Sequence, residues 1–227
     1  MKKLFFFAAA ICAAVSMNAE TIYDFSTMAF ADADLTVTNG TKTYNESKSY
    51  YEIKNTAGET VVLEIATLPN VQFSYKNSDV KTAFKVAPNK YIQFDGDQRD
   101  LTINNLSVGD IVTLSVASKG TTANSFEDSE KKGTGLTGCV WVSGNKTQAP
   151  KGDEMVYEEI QIQAIATTIV LRTTAGGYAL NKIVISSNAN GIENTVFAPK
   201  ATKMMVDGQM VIVRDGVKYN ALGTVVE

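Results

Sequence analysis

The chain is expected to be all-β: a jelly-roll-like β-sandwich followed by a small C-terminal β-hairpin or meander unit. Three observations predict this. Apolar residues recur at every second position in short runs, so each run offers one apolar face and one wet face. Turn-forming Gly, Asn, Asp and Pro punctuate those runs at short intervals. Apolar spacings of three and four, the mark of an amphipathic helix, are not sustained anywhere.

The stretch from Tyr91 to Ala117 shows the pattern most clearly. Ile92 and Phe94 alternate with polar neighbours, as do Leu101 and Ile103, and then Val112, Leu114 and Val116. Asp95-Gly96-Asp97 and Ser107-Val108-Gly109-Asp110 separate these runs, which read as consecutive antiparallel strands.

Taken in order, Met1 to Ala19 reads as a secretory signal peptide. Lys2 and Lys3 open it, Leu4 to Val15 is its apolar segment, and Ala19 is a small residue suited to cleavage. Cys12 falls inside that apolar segment; a lipid-bearing role for it is disfavoured by bulky Ile11 just before it. From residue 20 to 187 the strands follow one another. Glu20 to Phe30 suits an edge strand that staples the N-terminus to a sheet. Leu35 and Val37 alternate ahead of Asn39-Gly40, a hairpin turn signal. Tyr51 and Ile53 share a face, as do Val61, Leu63 and Ile65, then Val71, Phe73 and Tyr75, then Phe84 and Val86. Residues 119 to 138 form a long polar segment rich in Gly, Ser and Thr, the length at which loops tend to be functional. Cys139 to Val142 is a short strand. Ile160 with Ile162, Ile169 with Leu171, and Ile183 with Ile185 complete the sandwich, the last two runs separated by Gly176-Gly177.

Positions 188 to 199 are polar and small at first, which suits a linker. Positions 200 to 227 then read as three short strands separated by Asp207-Gly208 and Asp215-Gly216, both two-residue hairpin turns, with Val225-Val226 after Gly223.

Composition narrows the chemistry. With 227 residues and an apolar fraction of 44%, the chain has material for a full core. A formal charge of -3 gives no basic surface for nucleic acid. There is no histidine, which removes Ser-His-Asp and Cys-His catalysis and most zinc sites. Once the leader is removed Cys139 is the sole cysteine, so no internal disulfide forms, and its expected role is that of a small buried hydrophobe. No segment after the leader is long and apolar enough to predict a transmembrane span.

Two resemblances go further. The run Lys203-Met204-Met205-Val206-Asp207-Gly208-Gln209-Met210-Val211-Ile212-Val213-Arg214-Asp215-Gly216-Val217-Lys218-Tyr219-Asn220-Ala221-Leu222-Gly223 resembles the end of the C-terminal sorting domain of the type IX (Por) secretion system of Bacteroidetes. The resemblance covers Ile192 to Glu227, and Lys218 sits one place later than the family pattern has it. It implies passage across the outer membrane, with the export machinery as partner and a secreted or cell-surface destination; without a working sorting signal the destination is the periplasm. The body is similar in style to carbohydrate-binding jelly rolls of secreted Bacteroidetes proteins. That likeness is carried by Tyr91-Ile92-Gln93-Phe94, by Leu101-Thr102-Ile103 with Gly109-Asp110, and by Leu180-Asn181-Lys182-Ile183-Val184-Ile185.

The expected function is therefore non-catalytic glycan binding. An adhesin or structural interaction protein without sugar affinity is the alternative, and a small carboxylate-dependent glycan-active enzyme is a third reading. The candidate ligand residues are Trp141, Tyr157, Gln161, Gln163, Arg172, Tyr178 and Asn181. An exposed indole buries the C–H face of a sugar ring while neighbouring amides and a guanidinium meet its hydroxyls. If Val140 and Val142 face the core, Trp141 faces out; if Trp141 joins the core, the valines are exposed. No cofactor is expected, except that Asp95, Asp97 and Asp100 around Gly96 suit a structural Ca²⁺.

Overall fold

The computed structural model describes residues 20–187, and the backbone of 202–206, 209–214, 217–220 and 225–226. The leader, the linker and both Asp-Gly turns of the C-terminal segment lie outside the described residues. The chain divides into two compact units, Met1–Asn188 and Ala189–Glu227.

The first unit runs, in chain order, through β1 (Glu20–Asp24), β2 (Leu35–Thr38), β3 (Gly40–Asn45), β4 (Tyr50–Asn55), β5 (Thr60–Ile65), β6 (Val71–Lys76), β7 (Thr82–Ala87), β8 (Tyr91–Phe94), β9 (Arg99–Ile103) and β10 (Ile111–Ser118). It continues through β11 (Asn124–Ser125), β12 (Leu136–Thr137), β13 (Cys139–Ser143), β14 (Thr147–Gln148), β15 (Glu158–Ala164), β16 (Ile169–Arg172) and β17 (Tyr178–Ser186). The only helix among the described residues is a 3-10 turn at Asp32–Asp34, so no helix there is long and apolar enough to cross a membrane.

The protein is all-β, with two large antiparallel sheets packed as a sandwich. One sheet has the order β13-β15-β10-β17-β8-β7-β4-β3, with β1 added on β17; the other has the order β12-β16-β9-β6-β5-β2. The runs predicted from alternation are strands, and their apolar faces meet. Ile53, Phe84, Val86, Ile92, Phe94, Val112, Leu114, Ile160 and Ile162 come from the nine-stranded sheet, and Val61, Leu63, Phe73, Leu101, Ile103, Ile169 and Leu171 from the six-stranded one; all are 0% exposed. At about 25 cal/mol per Å² these faces dominate the stabilisation. Aromatic rings join the layers: Phe73 lies 6.0 Å from Phe84 and 5.6 Å from Phe94, and Phe94 stacks on Tyr178 at 4.0 Å.

Two expectations about neighbours change. β8, β9 and β10 are consecutive in sequence but not adjacent in a sheet. β8 and β10 belong to the nine-stranded sheet and β9 to the six-stranded one, so the two turns between them carry the chain across the sandwich. Asn39-Gly40 likewise makes no hairpin: β2 pairs with β5 and β3 with β4, on opposite sheets. Alternation specifies which side chains face inward, and either sheet satisfies that requirement equally. Asn39 does adopt a positive φ of 53°, so the turn chemistry is real while its destination differs.

The segment 119–138 is also more structured than its composition predicts. β11 pairs with β14, β12 pairs with β16, and Phe126 between them is fully buried. β1 occupies the edge of β17 not taken by β10, beyond the short β8 contact, through pairs from Glu20–Ser186 to Asp24–Lys182.

One buried polar residue stands out. Asn55, at the end of β4, is 2% exposed. Its amide NH₂ donates to the carbonyls of Thr56, Asn77 and Asp79, and its oxygen accepts the Lys81 N–H at 2.8 Å. It thus ties β4 to the β6–β7 loop. Asn55→Leu is expected to cost about 2–3 kcal/mol, because those backbone groups lose their partner in a buried place; a fall in the urea midpoint of that size checks it.

In the second unit, β18 (Thr202–Val206), β19 (Gln209–Arg214), β20 (Val217–Asn220) and β21 (Val225–Val226) pair in sequence order as an antiparallel meander.

Candidate functional site

The register of β13 against β15 decides where Trp141 points. Trp141 lies opposite Ile162, and residues directly opposite in an antiparallel pair share a face. Ile162 is fully buried, so the indole turns to the core side, while Val140 is 42% and Val142 49% exposed. Of the two orientations open to the sequence, the one with exposed valines is found. Trp141 is nonetheless not sealed in. β13 is the outermost strand of its sheet and β12 the outermost of the other, so the gap between them is an open side of the sandwich.

That gap is a cleft of about 470 Å³ with Trp141, Leu136 and Cys139 on its walls. Phe126 lies against the indole at 6.3 Å, and Lys146 Nζ stands 6.0 Å from the indole ring centre. Glu127, Asp128 and Thr134 supply polar groups at the rim. The indole N–H donates to the Gly144 carbonyl at 3.1 Å, which fixes the ring. Gly144 has φ +86°, and a Cβ there would sit 2.5 Å from the Glu159 carbonyl oxygen, so the turn that holds the indole requires glycine. Asp128 accepts the Gly135 N–H at 2.9 Å and braces the loop beside the cleft. Cys139 is buried, which pushes its thiol up to about 11 and keeps it an unreactive wall residue.

The other residues proposed to join Trp141 do not converge on it. Gln161 and Gln163 flank Ile162 and so lie on the opposite, outer face of the sheet. Gln161 donates to Thr113 Oγ1 and accepts from Ser143 Oγ, and Gln163 donates to the Gly109 carbonyl. Tyr157 is half-buried just before β15, and burial, with Tyr91 nearby, pushes its hydroxyl up to about 12. Tyr178 is 0% exposed between Phe94 and Phe126, so no ligand reaches it. Asn181 is the extra residue where the register of β17 on β10 shifts, and its amide donates to the Lys90 carbonyl. Arg172 projects from the outer face of the other sheet, held by Asp100. The physical reason is common to all of them: alternation assigns each residue to a face, and only strand order says which faces are near each other.

The three aspartates are likewise dispersed. Asp95 is bridged to Lys85 and Lys119 and accepts from Gln93; Asp97 pairs with Lys132 at 2.7 Å; Asp100 takes both Nε and Nη2 of Arg172 at 2.7 Å. Burial raises the Asp95 carboxyl, but the bonds and charges of Lys119 and Lys85 outweigh it and leave the group below its ordinary value. Each carboxylate is thus neutralised by its own cation. Among the described residues no cluster of three or more acidic, Cys or His side chains forms a metal site.

Sequence reading missed Phe126 and Lys146. Phe126 had a signal: it is the one aromatic side chain in the polar stretch 119–138, and such a residue anchors the loop that carries it.

Fold and cleft together define the class as an all-β sandwich with a side cleft between its sheet edges. No protein-family model matches the chain, and no curated protein matches it.

Proposed function

We propose that this is a secreted or surface-exposed, non-catalytic β-sandwich that binds glycan, delivered by its leader and by the C-terminal segment acting as a type IX sorting signal. One observation carries the binding part of the reading: a partly exposed indole, held by a backbone hydrogen bond, lies in an open cleft with an ammonium and two carboxylates around it. Such a ring offers a flat surface to the C–H groups of a sugar, and the charged groups around it meet the hydroxyls. The Asp-Gly turns of the tail, and its likeness to known sorting segments, support the export part.

The test is a glycan array probed with the mature chain and with Trp141→Ala. Binding is expected to weaken at least about tenfold in the variant, the behaviour of a central aromatic anchor. Because the indole also packs on Phe126, the melting temperature falls too, by roughly 2–4 °C per kcal/mol lost. Lys146→Gln, which removes no packed ring, separates the two effects: it is expected to weaken binding with the melting temperature unchanged. Undiminished binding by both variants, or no binding by the parent chain, defeats the cleft as a glycan site. Fractionation of cells carrying a chain cut after Asn188 tests the address, since unchanged secretion removes it.

A further inference from the structure

A second pocket lies away from the cleft, on the outer face of the six-stranded sheet. Its volume is about 420 Å³, and Thr60, Ser74, Lys76, Gln98, Asp100 and Arg172 line it, with Tyr75 at its wall. Two short rows across the strands build it. Ser74, Asp100 and Arg172 are direct neighbours on β6, β9 and β16, and Thr60 faces Lys76 on β5 and β6. Gln98 is set beside them in a left-handed conformation, φ +58°, with its N–H donating to the Thr173 carbonyl at 2.6 Å. A non-glycine residue held at positive φ is a locally strained position, kept by the surrounding contacts.

The charges in the pocket do not cancel. Arg172 gives Nε and Nη2 to Asp100 and retains Nη1. Among the described residues Lys76 has no ion-pair partner. Two cations therefore face one carboxylate, in a chain whose formal charge is -3. The side chains of Thr60, Ser74 and Gln98 make no hydrogen bond of their own among the described residues, so their donors and acceptors point to a ligand or to water. The lining exposes more polar than apolar surface, so a polar ligand suits it better than an apolar one. An anion finds two cationic donors, and a polyol finds two hydroxyls and an amide.

We propose that this pocket binds an acidic saccharide through the carboxylate of a uronic-acid residue. Lys76 Nζ and Arg172 Nη1 donate to that carboxylate, and Gln98, Ser74 and Thr60 contact the ring hydroxyls. Asp100 engages two nitrogens of the guanidinium, so it competes with the ligand for them and offsets part of the charge of Arg172. The site is separate from the Trp141 cleft and stands whether or not the cleft takes a sugar.

The test is titration calorimetry of the mature chain with trigalacturonate and with its carboxyl-reduced neutral counterpart. The acidic trisaccharide is expected to bind at least about tenfold more tightly than the neutral one, the discrimination of a charge-assisted contact. Lys76→Gln is expected to weaken trigalacturonate by roughly five- to tenfold, with an unchanged unfolding midpoint because Lys76 is exposed and unpaired. Asp100→Asn removes the competing negative charge beside Arg172 and is expected to tighten it. Trp141→Ala leaves it unchanged, which separates this site from the cleft. Equal affinity for the two saccharides, no trigalacturonate binding, indifference to Lys76→Gln, or weaker binding by a folded Asp100→Asn variant each overturns the proposal.

Discussion

Replacing Phe94 by alanine is expected to cost about 3–5 kcal/mol, the range for deleting a buried aromatic ring. Phe94 is fully buried at the point where the layers lock together. Phe73 reaches it from the opposite sheet at 5.6 Å, Phe84 meets it edge-on at 5.4 Å, and Tyr178 stacks on it at 4.0 Å. The loss has two parts. The removed carbons forfeit their transfer energy, and the rings around the gap forfeit contacts that rigid neighbouring strands do not let them recover. Phe94→Leu keeps most of the volume and is expected to cost only about 1–1.5 kcal/mol. Urea denaturation distinguishes these outcomes: the midpoint falls while the slope stays constant, since the surface exposed on unfolding is nearly unchanged. A loss below about 1 kcal/mol for the alanine variant contradicts this packing.

Arg99→Ala is the second large effect, about 3–5 kcal/mol, and for a different reason. Arg99 is 5% exposed, yet it is charged at every accessible pH. Its Nε donates to the Ala83 carbonyl, its Nη1 to the Asp97 carbonyl at 2.6 Å, and its Nη2 to the Thr82 carbonyl at 2.7 Å. The guanidinium also lies 3.8 Å over the Tyr75 ring. Ala83 and Thr82 belong to β7 and Arg99 to β9, so one side chain ties the nine-stranded sheet to the six-stranded sheet. Gly96 makes room for it: φ there is +143°, and a Cβ would come within 2.7 Å of Nη1. Lysine keeps the charge but presents a single ammonium in place of a planar fork, so Arg99→Lys is expected to recover less than half of the loss. The check is thermal melting of all three proteins at one pH. Full recovery by lysine shows that charge, and not the fork, is what matters there.

These residues show how unevenly the sequence reveals itself. Phe94 was legible as core because it alternates with Gln93 and stands two places from Ile92. Arg99 was not, because nothing local distinguishes an arginine that reaches across to carbonyls on another sheet from one in solvent. Its partners lie 16 and 17 positions back along the chain. Trp141 stood between the two. Its neighbours narrowed it to two orientations, and the pairing with Ile162 chose one. The residues proposed around it did not converge for the same reason: Gln161 is on the outer face of one sheet and Arg172 on that of the other, and their spacing along the chain carries no trace of that.

By itself, then, the sequence determined the all-β class, the alternating strands and their inward-facing side chains, because a two-residue period is a local property of an extended chain and burial follows it directly. It did not determine the short strands β11, β12 and β14. Tertiary structure alone decided which strands are neighbours: that β8, β9 and β10 alternate between sheets, that Phe126 plugs the side of the sandwich, and that Lys76 and Arg172 share a pocket across one carboxylate. Those facts depend on contacts between residues far apart in the chain, where many pairings bury the same apolar faces and only the packed whole distinguishes among them.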